Sequence, residues 1–274
     1  MRRKRWLLRS TKNALVWLGV VAITAFVFLP ILWGIRTSIA PRYDPGIIPA
    51  RLTLENYTRL LGQPEIYRYV GNSIVVSGLA VVIVLPVAIL AAYALSRFRF
   101  RGERLGILFL VLPMLPTVAL LVPLIRYMNG LGLYNRLSAV VLVNAIFSMP
   151  FAVWMLRNFI IANPASIEEA ALIDGCSRMR MLLLIAVPMM APGMVAVGLF
   201  VFISSWSNYL YSFALTTSPG SQVLPKAILS FMGAWGIDWG GLTAIGLLSM
   251  VPPVVLFLVF QRWFVAGLFG NQLK

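Results

Sequence analysis

Histidine is absent from the chain, and cysteine occurs once, at Cys176. A lone cysteine excludes a disulfide framework. The lack of histidine removes the ordinary His/Cys zinc sites and makes Ser-His and Cys-His catalytic pairs impossible. Charge is scarce too. Only 11% of the 274 residues are charged, and eight are acidic, where a soluble domain averages about a quarter charged. No G-x-x-x-x-G-K-[ST] phosphate loop is present, so nucleotide hydrolysis is not expected on this chain. These absences disfavour an enzyme and leave no expected cofactor here.

The apolar residues, 60% of the total, form runs long enough to cross a bilayer. The expected architecture is an all-α polytopic membrane protein with six spans, near residues 13–35, 70–95, 105–125, 137–156, 185–206 and 242–260. The formal charge of +15 could suggest nucleic acid. The basic residues sit mostly at the ends of apolar runs, however, which fits membrane orientation better than a nucleic-acid partner. With the N-terminus inside, the inner segments hold fifteen Lys/Arg and the outer loops eight. The positive-inside rule therefore places both termini and residues 157–184 in the cytoplasm. Residues 1–12 open like a signal peptide, but the uncharged run Asn13–Ile35 exceeds the usual 7–15-residue apolar core. An uncleaved first helix is the reading adopted. Many runs carry proline (Pro30, Pro86, Pro113, Pro150, Pro188, Pro252), which bends membrane helices where neighbours or a cavity satisfy the freed backbone.

The acidic residues cluster in one place, Ile167–Pro188 (IEEAALIDGCSRMRMLLLIAVP), where Glu168, Glu169 and Asp174 supply three of the eight. Asn163-Pro164 ends the fourth helix. Ser166 stands three residues before Glu169, the spacing of a capping box. Gly175 has the position of a left-handed C′ residue. The spacing predicts a helix of about two turns over Ile167–Gly175, with Ala170 and Ala171 giving a small-residue surface. Ser177 then caps a helix that carries Arg178 and Arg180 toward the membrane. A capped linker lying on the inner leaflet fits these features equally. Two glutamates facing an anionic leaflet tilt the balance toward a protein partner.

The stretch resembles the EAA signature of the membrane permease subunits of bacterial ABC importers. Glu169-Ala170-Ala171, three residues, Gly175, nine residues, Ile185, one residue and Val187-Pro188 keep its register, with Val187 in place of leucine and Asp174 before the glycine. Tyr69–Ser77, Met149–Phe159 and Phe260–Leu268 resemble the carbohydrate-importer, maltose-type branch, so the likeness covers most of the chain. It implies a type I importer permease fold and a bacterial cytoplasmic-membrane location. The implied partners are a second permease subunit, two ATP-binding subunits that carry ATP and magnesium, and an extracytoplasmic solute-binding protein. It also implies a coupling role for Ser166, Glu168, Glu169, Ala170, Ala171, Asp174, Gly175 and Pro188, and an ATPase contact for the tail Phe264–Lys274.

Other polar positions are candidates for the path of a hydroxyl-rich solute. They are Asn144 and Ser148 in the fourth run and Ser205, Trp206, Asn208 and Tyr209 at the end of the fifth. Helix–helix hydrogen bonding explains them as well. Thr216, Thr217, Ser218, Pro219 and Gly220 have turn chemistry, and the family resemblance makes this loop a candidate contact for the solute-binding protein. An ion-coupled secondary transporter would usually need ionisable groups inside its spans, and the six runs contain none. A membrane scaffold would not need the EAA register.

Overall fold

Apolar runs in a bilayer must satisfy their backbone groups internally, and helices do this within one segment. The computed structural model describes residues 2–42, 44, 46–98, 116–233 and 236–269, and they are predominantly helical. Among them, four helices are long and apolar enough to cross a membrane, and a bent pair makes a fifth span if counted as one. The expected third span, 105–125, begins outside the described residues, and so do the tail residues beyond Phe269.

The chain divides into two compact units. The first comprises Met1–Gln63 and Ser230–Leu248. Helix α1 (Arg2–Ser38) passes through Pro30 without a break, and most of its apolar segment from Val16 is exposed. A short helix, α2 (Glu55–Leu61), folds the following loop back. The buried Asn56 amide donates to the Ser38 and Ala40 carbonyls at 2.9 Å each, satisfying acceptors at a helix end that would otherwise be orphaned. A two-stranded antiparallel hairpin, β1 (Met232–Gly233) and β2 (Gly236–Ile237), pairs Met232 with Ile237. It leads into the last long helix (Trp239–Phe269). Asp238 accepts from the Gly241 amide at 3.1 Å and from Arg59 at 2.6 Å. It therefore caps that helix and ties it to α2.

The second unit comprises Pro64–Leu229 and Ser249–Lys274. Its frame is α3 (Pro64–Arg97), α4 (Thr117–Gly130) and α5 (Leu137–Ala162). Then come α6 (Ala165–Ile173), α7 (Arg178–Met189) and α8 (Ala191–Trp206). Two short helices follow, α9 (Tyr209–Leu215) and α10 (Leu224–Ala227), and α11 is Trp239–Phe269. Ala80, Val84, Ala88 and Ala92 recur every four residues on α3 and have no exposed surface. They pack with Ala152, Leu156 and Ile160 of α5 and Val197 and Val201 of α8. Small residues in such a stripe let helices approach closely, which matters in lipid because helix association there rests largely on packing.

The fifth apolar run is not one straight span. Residues Leu182–Ala186 of α7 form a π-helical stretch, and α7 and α8 meet at 74°. Pro192 fits the site of the bend. It lacks the N–H that would continue the α7 ladder, and it stands in the first turn of α8, where a proline is tolerated. By contrast Pro86 and Pro150 sit inside continuous helices.

At Gly193, α8 lies directly against Phe159 of α5. A Cβ there would lie 2.6 Å from the Phe159 ring, whereas one at Gly198 would meet Leu85 at an ordinary 3.6 Å. Gly193→Ala should therefore destabilise the protein by roughly 1–3 kcal/mol, as overpacking does, and Gly198→Ala by much less. Thermal melting of the detergent-solubilised variants measures the difference.

Candidate functional site

The clustered carboxylates fall on α6, a nine-residue helix between α5 and α7. Its start is set by Pro164. The residue before a proline is pushed out of helical geometry, and Asn163 has φ −88° and ψ 134°. Pro164 itself is extended, and α6 begins at Ala165 with no side-chain cap. The expected capping box is therefore not formed. Ser166 lies inside the helix rather than ahead of it, and the helix runs Ala165–Ile173 instead of Ile167–Gly175.

Its end matches the sequence reading. Gly175 has φ +85°, the Gly175 amide donates to Leu172 O at 3.1 Å and the Cys176 amide to Ala171 O at 3.0 Å. This pair of bonds is a Schellman motif, and it caps the last carbonyls.

The two glutamates have different environments. Successive helical residues are turned by about 100°, so they occupy different faces. Glu168 is buried and Glu169 is exposed. Glu168 accepts from the Tyr93 hydroxyl at 2.8 Å and from Arg97 Nε and Nη2, the shortest at 2.8 Å. Nη2 of Arg97 also donates to the Ile160 and Asn163 carbonyls, each at 3.1 Å. One guanidinium thus joins the C-terminal end of α3, the C-terminal carbonyls of α5 and the first turn of α6. Arginine suits this task because its planar fork binds a carboxylate at two points and keeps donors to spare. The negative end of the α5 dipole adds to the attraction.

The opposite side of α6 is open. Glu169, Ala170 and Asp174 are exposed, and Ile173 is 86% exposed. Ala171 and Cys176 pack onto the core. Pro188 lies in α7 near the bend rather than beside α6. Sequence reasoning missed Arg97 and Tyr93. Arg97 read only as one of the charges at the end of a span. The spacing carried no signal for either, because which glutamate is buried depends on where α3 ends.

The candidate solute-path residues do not form one cluster of free polar groups. Asn144 donates back to Val140 O at 2.9 Å within its own helix. Trp206 Nε1 reaches Ser249 O at 2.9 Å, fixing α8 to α11. Asn208 caps α9 through the Tyr211 amide, and Tyr209 stacks on Phe213. Ser148 is buried. The buried Ser205 hydroxyl makes no hydrogen bond among the described residues.

The 216–220 loop is a built platform. Asn135, at φ +61°, accepts through Oδ1 from the Thr217 and Ser218 amides at 2.9 Å and from the Ser221 hydroxyl at 2.7 Å. Asn72 donates to the Gly220 and Gln222 carbonyls. Lys226 bonds the Thr216 carbonyl, and burial lowers its pKa. Pro219 and Gly220 are left exposed at the tip.

A polytopic helical membrane protein with a short, clasped helix between two of its long helices is the class these features define. Residues 84–270 match the family described as the binding-protein-dependent transport system inner membrane component, and the chain belongs to that family. It is 32% identical over 272 residues to the trehalose/maltose transport system permease protein MalG of Thermococcus litoralis, covering 96% of this chain and 97% of that one. It is 30% identical to the diacetylchitobiose uptake system permease protein DasC of Streptomyces coelicolor, over 94% and 97% of the two chains. Among solved structures, a chain of a bacterial ABC transporter involved in import of the acidic polysaccharide alginate shares the fold. Its TM-score is 0.78 at 23% identity, with 94% of this chain and 96% of that chain covered.

Side-chain exposure is 9% for Glu168 and 17% for Arg97, so this is a largely desolvated pair. Arg97→Met should lower stability by roughly 3–5 kcal/mol, because it strands a buried carboxylate. The double variant Arg97→Met/Glu168→Met should lose less than Arg97→Met alone. A thermal-melting double-mutant cycle reads this, and additive losses would contradict the pairing.

Proposed function

We propose that this chain forms half of the transmembrane pathway of an importer for a sugar or sugar-like solute, and that α6 couples it to a separate ATPase. One observation carries the coupling role. α6 is fixed to its own chain on one side by Glu168, and on the other side it presents Glu169, Ala170, Asp174 and the apolar Ile173 with no covering group among the described residues. An exposed apolar side chain rimmed by charge fits a protein cleft better than water or an anionic leaflet. The sugar assignment rests on the trehalose/maltose and diacetylchitobiose relatives.

In this reading the chain is not catalytic. ATP and magnesium belong to two partner ATPases, and a second, similar permease completes the pathway. A solute-binding protein docks outside, with the platform Thr216–Gly220 as its contact. Both termini and α6 face the cytoplasm, the orientation favoured by the basic residues. ATP binding closes the ATPases and draws the coupling helices together. The clasped helices then move as a body and turn the pathway outward, a rigid-body rearrangement. Hydrolysis resets it.

Two variants test the coupling role. Glu169→Lys reverses a charge on the open face and opposes docking. Gly175→Val forces a β-branched residue into a left-handed conformation, costing roughly 1–2 kcal/mol, and re-aims α6. Neither touches an apolar span, so both proteins should insert normally. Uptake should be lost and ATPase subunits should co-purify poorly. Full uptake with retained ATPase in both variants would show that α6 does not couple.

A further inference from the structure

Between α8 and α11 the second unit contains an open groove of about 390 Å³. Its α8 wall runs from Ala191 to Phe202, and its α11 wall carries Leu256 and Phe260. Gly78 and Val81 of α3 form part of the floor. At one end the Trp206 indole, bonded to Ser249 O at 2.9 Å, draws α8 and α11 together. Beyond that joint the floor is open at Gly78, where a Cβ would meet no neighbouring group within 4 Å.

No side chain that lines the groove carries an oxygen or a nitrogen. A hydroxyl-rich solute would give up its hydrogen bonds to water there and gain none, so the groove does not suit one. Its length points to another occupant. The α8 wall from Ala191 to Phe202 is about 16 Å long at 1.5 Å per residue. One leaflet of a hydrocarbon core about 30 Å thick is about 15 Å deep. The Phe260 end supplies a second mark. Trp263 packs beside the Phe260 ring at 5.7 Å between centroids, and the guanidinium of the exposed Arg262 lies 3.8 Å over the Trp263 ring. An indole with a cation beside it is what membrane helices present at the headgroup level. No acidic residue occurs in α7, α8 or α11, so neither wall helix opposes an anion there.

Interfacial anchoring accounts for Arg262 and Trp263 taken alone. It does not account for an apolar groove of leaflet length that ends beside them. A helix of a neighbouring protein is about 10–12 Å across with its side chains. A cavity of this volume drawn out over this length is far narrower than that, but it admits an unbranched hydrocarbon chain. Each methylene that leaves looser surroundings for the groove walls gains dispersion contacts, and the cation adds attraction for a phosphate. We infer that the groove holds one acyl chain of an anionic phospholipid, with the lipid's phosphate at Arg262. The site does not depend on the importer reading, because it is tested by lipid retention and not by uptake.

The test uses the full-length chain in nanodiscs of phosphatidylglycerol and phosphatidylcholine in equal parts. Native mass spectrometry counts and identifies the lipid that stays bound on release. Gly78→Phe plugs the floor of the groove, and Arg262→Gln removes the cation from an exposed position. Val82→Phe, at an exposed position on α3 outside the groove, is the control. The wild type and the control should retain one phosphatidylglycerol, and Gly78→Phe should retain neither lipid. Arg262→Gln should lower the preference for phosphatidylglycerol about fivefold, as for one basic residue near a headgroup. If Gly78→Phe melts well below the wild type, the preference in Arg262→Gln decides alone. Equal retention in Gly78→Phe and the wild type, or a wild type with no preference between the two lipids, overturns the inference. So does a wild type that retains no lipid and self-associates through the groove, its oligomers lost in Gly78→Phe.

Discussion

Arg97 places a guanidinium at the end of a 34-residue helix, a length of about 51 Å at 1.5 Å per residue. That exceeds a hydrocarbon layer of about 30 Å, so the charged end can leave the apolar zone and still touch packed helices. There it meets a carboxylate, a tyrosine hydroxyl acting on the same carboxylate, and two carbonyls at the end of α5. Burying either charge alone would be costly. Together, with most of their lone pairs and protons matched, they hold three elements in one geometry. In the proposed coupling role, the open face of α6 matters because the other face is fixed. A helix of nine residues, too short to be stable alone, can pass on a push only if it is rigidly tied to what must move.

The same economy appears at other joints. Gly175 ends α6 with two reciprocal bonds, and α7 starts within four residues. The π stretch and the 74° turn between α7 and α8 come next. Such a stretch often marks a functional position in a helix. Asn135 and Asn72 gather the 216–222 segment as Arg97 gathers the ends of α3 and α5 and the start of α6, through one side chain serving several backbone groups. In both places polar side chains do the organising while apolar surface fills the space between.

Much of this was legible in the sequence, and the failures have physical causes. Long apolar runs announced helices because nothing else satisfies a backbone in lipid. Gly175 could be placed because a left-handed C′ position has a strong residue preference. The Ser166–Glu169 spacing misled because Pro164 sets the helix start two residues earlier, which puts Ser166 inside. The roles of Glu168 and Glu169 were not separable from spacing, since burial depends on where α3 ends. Arg97 was hidden for the same reason, being one of four arginines in an eight-residue stretch. The fifth run read as one span because hydropathy does not register a bend. Asn144 and Asn208 are candidates for the solute path or for helix hydrogen bonding, and spacing does not separate the two, because a polar residue bonded to its own helix looks the same in sequence as one facing a pathway.

The central claim is that α6 moves as one body with α5 and α3 when nucleotide binds the partner ATPases. The direct measurement is an electron–electron distance between spin labels at Ile161→Cys on α5 and Ile173→Cys on α6, both exposed positions, in a Cys176→Ser background. It is made on the assembled complex without nucleotide and with a non-hydrolysable ATP analogue. The clasp predicts one narrow distance distribution, the same in both states, and a distribution that broadens in the Arg97→Met variant. A distance in the unsubstituted clasp that shifts on nucleotide binding would mean that α6 moves independently of the helices it was taken to drive.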